Sequence, residues 1–124
     1  MAYSKALELD PQYASAYNNL GLVKNNLKDH YGAIADYTKA IEIDQQYIDA
    51  YINRGNSKDD LKDHYGAIAD YTKAIEIDPQ EKDAYRNRGI SKENIGDMKG
   101  ACDDWRKASS LGNKDTLKWV REQC

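Results

Sequence analysis

Eighteen consecutive residues, Leu27–Asp44, recur letter for letter as Leu61–Asp78, 34 positions further on. A match of that length at a fixed offset makes the chain a repeat protein before anything else about it is considered. The offset extends beyond the copied segment. Gly21, Gly55 and Gly89 are in phase, as are Tyr17, Tyr51, Tyr85 and Trp119. So are Ala33, Ala67 and Ala101; Ala6, Ala40, Ala74 and Ala108; and Tyr3, Tyr37, Tyr71 and Trp105.

Each period holds two helical patterns. In the first unit, Ala16, Tyr17, Leu20, Gly21, Val23 and Leu27 recur at spacings of three and four, predicting a helix from about Gln12 to Leu27. Ala33, Ile34, Tyr37, Ala40 and Ile41 predict a second from about His30 to Ile43. The break at Lys28-Asp29 is short enough to force the pair antiparallel. Asp10-Pro11 and Asp78-Pro79 punctuate the junctions between units, since proline disfavours helix before it and starts one well. Gly costs about 1 kcal/mol against Ala inside a helix. Its return at one phase therefore implies a steric need, namely room for the rings of Tyr17 and Tyr37 where the two helices cross.

This joint pattern of aromatic, Gly, Ala, aromatic, Ala and Pro over 34 residues resembles the tetratricopeptide repeat. The resemblance covers nearly the whole chain. It implies an all-α, right-handed solenoid forming one domain. A half repeat at 1–13 precedes repeats at 14–47, 48–81 and 82–115. A capping helix at 116–124 follows, N-capped by Asp115. Arg54 and Arg88 stand where the family has Leu, and Lys24, Lys58 and Lys92 where it has Tyr. These departures predict a looser core in the first helices, or long stems laid over it. The opening begins inside a helical pattern, which predicts a piece of a longer array with Tyr3, Ala6 and Leu7 available for self-association.

The chain carries a formal charge of −3, which argues against nucleic acid as a partner. No apolar run has the length of a membrane span. Cys102 shares the phase of Ile34 and Ile68 and reads as a small core residue, while the terminal Cys124 reads as an exposed thiol. Two cysteines without a framework point to a reducing, cytoplasmic setting. His30 and His64 sit in equivalent turns one repeat apart, too dispersed to promise a metal site. Asp36, Asp70 and the pairs Asp59-Asp60 and Asp103-Asp104 read as solvated or ion-paired positions. No phosphate loop, nucleophile elbow or zinc helix is present, so no catalytic, cofactor or metal site is expected.

The resemblance also implies that the first helices line a concave groove. Mapped onto this chain, its candidate peptide-binding residues are Asn18, Asn19, Leu22, Asp49, Ile52, Asn53, Asn56, Asp60, Asp83, Arg86, Asn87 and Ile90. Acid is concentrated there. Asn19, Asn53 and Asn87 share one phase, and a ladder of amides can pair with an extended peptide backbone without reading its sequence. The sugar-transferring enzyme of this family is similar in this respect. The clamp by which some family members hold a C-terminal carboxylate needs convergent cations. Here its lysine positions hold Ile52 and Leu117, or Asn18 and Asp83, so the clamp is rejected. The expected partner is a neutral or basic peptide. The alternative is a self-assembling or engineered repeat module whose contacts are with copies of itself.

Overall fold

The computed structural model describes residues 11–124, and over that span seven helices follow one another with no strand between them. They are α1 (Pro11–Asn26), α2 (His30–Ile43), α3 (Ile48–Asp60), α4 (His64–Ile77), α5 (Lys82–Asn94), α6 (Met98–Ser110) and α7 (Lys114–Gln123). The expected half repeat, with Tyr3, Ala6 and Leu7, lies outside the described residues.

Helices pack chiefly on their chain neighbours, giving a stack of three hairpins (α1–α2, α3–α4, α5–α6) with α7 against α6. The turn inside each hairpin is built alike. Lys28, Lys62 and Gly96 take positive φ (69°, 68° and 85°), and the next amide bonds back to Lys24, Lys58 or Lys92 at 2.8 Å in each case. That six-to-one bond is a Schellman ending, which satisfies a carbonyl left over at the helix end. The following Asp29, Asp63 and Asp97 cap the second helices, each carboxylate accepting from the amide of Gly32, Gly66 or Gly100. A Cβ on any of these glycines would collide with the capping carboxylate.

The core is made of small residues and rings. Ala40, Ala50, Ala74 and Ala84 are fully buried, with Ile41 and Tyr51 beside them. Tyr37, Tyr71 and Trp105 lie inside the hairpins at 1% exposure, and burying such a ring contributes roughly 1.5–3 kcal/mol. The phase-locked glycines make room for them. A Cβ at Gly21 would stand 2.5 Å from the Tyr37 ring, and one at Gly55 2.7 Å from Tyr71.

The structure alters several expectations. Arg54 and Arg88 do not loosen the core. Each guanidinium grips a buried carboxylate on its own hairpin partner, Asp70 or Asp104, through two hydrogen bonds of 2.7–2.9 Å. Each also donates to Thr38 or Thr72 on the preceding hairpin. Lys58 and Lys92 complete these sites at 3.1 Å. Asp70 and Asp104 are therefore interior ion-pair partners, not solvated positions.

The last helix begins at Lys114, because Asn113 supplies the cap by accepting from the Thr116 amide; Asp115 lies in the first turn. Cys124 is no free thiol: it is bonded to Cys102 across α6 and α7. A bonded pair also removes the argument that two unpaired cysteines made for a reducing setting. Over the described residues α1 spans Pro11–Asn26, in keeping with the helix of about Gln12 to Leu27 that the apolar pattern indicates.

Candidate functional site

Helices α1, α3 and α5 and the start of α7 line one face of the stack, and a hollow of about 700 Å³ runs across it. Ten residues predicted from the sequence meet there: Asn18, Asn19, Leu22, Asp49, Ile52, Asn53, Asn56, Asp83, Arg86 and Asn87. Asp60 and Ile90 fall instead in an adjoining hollow of about 390 Å³, which shares Asn56 and Asn87 with the first.

The asparagines are not equivalent. Asn53 donates its amide N–H to Asn18 at 3.1 Å, and Asn87 donates to Asn56 at 3.2 Å. Asn18 is itself buried. Successive hairpins are thus stitched together by side-chain amides, whose donors are partly committed to the fold. Asn19 lies exposed on α1.

A second seam runs alongside. Asp59 accepts from the Ser91 hydroxyl and the Tyr71 hydroxyl and lies 2.9 Å from His64 Nδ1. Asn25 takes the same place one repeat earlier, accepting from Ser57 at 2.8 Å with His30 beside it. These groups hold hairpin to hairpin. Burial, and then Asp59 close to its hydroxyl, push the Tyr71 pKa well above the usual phenol value. Burial likewise lifts Tyr37 to about 12. Both rings are therefore neutral, and Tyr71 donates its hydroxyl to Asn56 and Asp59. Among the described residues no cluster of His, Cys, Asp or Glu is arranged to hold a metal ion, and no helix is long and apolar enough to cross a membrane.

What remains open to a ligand is the rim. Asp49 and Asp83 are exposed, and Glu81 and Asp115 join them around the larger hollow. Among the described residues Arg86 is the one cation lining it. Burial, and then repulsion from Asp83, Asp78 and Asp49, raise the Glu81 pKa above the usual carboxylate value. The carboxylates repel one another, so a cation brought among them is stabilised.

Tyr47, Glu81, Asn113 and Asp115 were missed from the sequence. Tyr47, Glu81 and Asp115 are themselves 34 residues apart, so the period contained the signal. They escaped because they lie in the turns and helix starts outside the groove-lining helical positions that the resemblance supplied.

Comparison with known proteins bears on this architecture. A sequence model of the tetratricopeptide repeat matches residues 14–47 and 48–81. Compared with curated proteins, the sequence has no match. Among solved structures, the chain is similar to the first TPR of Spaghetti (RPAP3) bound to the HSP90 peptide SRMEEVD. There the TM-score is 0.87 at 22% identity, over 93% of each chain. It is also similar to the Arabidopsis OM64 TPR domain, with a TM-score of 0.85 at 28% identity, over 92% of this chain and 98% of that one. MamA aligns with a TM-score of 0.79 at 30% identity, over 87% of this chain and 63% of MamA.

Proposed function

This chain belongs to the tetratricopeptide repeat family, and we propose that it is a non-enzymatic scaffold for protein–protein interaction that holds a neutral or basic peptide segment across α1, α3 and α5. We count the third hairpin, within 82–115, as a further repeat on its phase. The observation that carries the reading is the hollow of about 700 Å³, lined by Asp49, Glu81, Asp83 and Asp115, with Arg86 the one cation among its described lining residues. A peptide cation there relieves carboxylate crowding. The exposed flanks of Leu22 and Ile52 offer apolar contact for its side chains.

The RPAP3 domain of the same fold was solved with SRMEEVD, an acidic peptide. The present groove carries the same sign as that peptide and lacks the clamp lysines, which supports a different ligand class for it. Three hairpins supply an affinity on the order of micromolar, about −8 kcal/mol. An array of short peptides graded from basic to acidic tests the proposal. Binding should rise with Lys and Arg content, and preference for Asp- and Glu-rich peptides overturns it.

One observation favours a second reading. Leu20 and Val23 on α1 and Leu27 in the turn just after it are 44%, 54% and 74% exposed. Contact between copies of this chain there would cover them. Light scattering across concentration decides: a mass that stays monomeric removes this reading.

A further inference from the structure

The third hairpin breaks the repeat at one place. In the second hairpin the buried Tyr71 donates to Asn56 and Asp59, so the base of the groove there is polar. One period later the ring is Trp105 and the residue facing it is Ile90 instead of Asn56. The Trp105 Nε1 is buried without an acceptor among the described residues. Beside this apolar pair is a cleft of about 270 Å³, lined by Arg86, Ile90, Glu93, Trp105, Trp119 and Gln123. The Trp119 ring meets Trp105 edge to face, with centroids 5.3 Å apart and planes at 64°. Arg86 lies 5.1 Å over Trp119. The disulfide ties the end of α7, and with it the Trp119 wall, to α6.

We propose that this indole-walled cleft is a side-chain subsite at the α7 end of the groove, taking one aromatic or branched aliphatic side chain of the peptide whose basic part lies against Asp49, Glu81 and Asp83. The proposal rests on the groove reading above. The cleft is smaller than the ~300–1,000 Å³ of a small-molecule pocket, which suits a single side chain. It is continuous with the groove, because Arg86 lines both, and Ile90 also lines the adjoining hollow. Its rim carries one cation, Arg86, and one anion, Glu93, so an incoming charge gains little there. An apolar group gains contact with the partly exposed Trp119 indole and Ile90, over the buried Trp105. The expected ligand is therefore a segment with basic residues toward α1 and α3 and an apolar residue toward α7.

The probe is a short lysine–glycine peptide and a set in which a single Phe is walked through each position. The two tryptophans of the chain give separate indole N–H resonances for following the site. One Phe register should bind about tenfold tighter than the parent and shift the Trp119 indole resonance. Ile90→Asn, which installs the residue found at Asn56, should abolish that gain, so that on this variant no Phe register binds better than the parent peptide does. If the parent binds but no Phe register improves on it, or the gain survives Ile90→Asn, the subsite is refuted and the groove stands. If neither the parent nor any Phe peptide binds, the groove reading falls and the subsite with it.

Discussion

Arg54 and Asp70 meet as a two-pronged pair across α3 and α4, with Nε 2.9 Å from Oδ2 and Nη2 2.7 Å from Oδ1. Arg88 and Asp104 repeat the arrangement one hairpin on. In the first hairpin Leu20 stands in the arginine's place, and among the described residues Asp36 has Lys24 as its one cationic partner, 2.9 Å away. Removing one partner of a buried pair costs roughly 3–5 kcal/mol. Because Lys58 still faces Asp70, Arg54→Leu is expected to cost about 3 kcal/mol, at the low end of that range. Leu20→Arg should instead gain about 1 kcal/mol by giving Asp36 the two-pronged partner that Asp70 and Asp104 have. Urea unfolding midpoints check both, and a destabilising Leu20→Arg would show that the first hairpin has adapted to leucine.

Gly55→Ala sets two effects against each other. The alanine gains about 1 kcal/mol of helix propensity. Its Cβ would stand 2.7 Å from the ring of Tyr71, which is 1% exposed. Overpacking of that kind costs roughly 1–3 kcal/mol, so the clash wins. A thermal melt should show a lower midpoint.

The Cys102–Cys124 bond closes a sequence separation of 22 residues. Chain entropy assigns a loop of that size about 3 kcal/mol. Helix α7 has ten residues, too few to be stable alone in water. Reduction should therefore raise amide exchange in α7 far more than in α3 or α4 and change Trp119 fluorescence. Uniform exchange across the chain would show that the tie is unimportant to α7.

Glu81 links stability to pH. Its folded-state pKa is raised, first by burial and then by neighbouring carboxylates, so the native state binds that proton more readily than the unfolded chain. The group's contribution is most favourable below the ordinary Glu pKa and is lost as pH rises through the raised folded value. Glu81→Gln should therefore stabilise the chain at about pH 7 relative to about pH 4, compared with the unsubstituted protein. Unfolding midpoints at the two pH values measure the difference.

Much of the fold was legible because period and burial are the same signal in a stacked chain. Gly21, Gly55 and Gly89 recur because a buried ring presses on each, and the helix limits around His30–Ile43 follow from the same phase. What the period concealed were contacts between residues of different phase. Arg54 and Asp70 lie 16 residues apart on opposite helices, and each alone looks like a surface charge. Cys102 reads as a substitute for Ile34 until Cys124 is brought beside it by α7. In the groove, Asn53 and Asn87 look free in one dimension, yet their amides turn back onto Asn18 and Asn56.

The sign of the groove is the central claim, and one titration tests it most directly. Two short peptides, identical except for Lys or Glu at alternating positions, are titrated into the chain at low and at moderate salt. The groove of Asp49, Glu81, Asp83 and Asp115 predicts micromolar-order binding of the Lys peptide, about tenfold or more tighter than the Glu peptide. The gap should narrow as salt screens it. A Glu peptide that binds equally well or better would contradict the account.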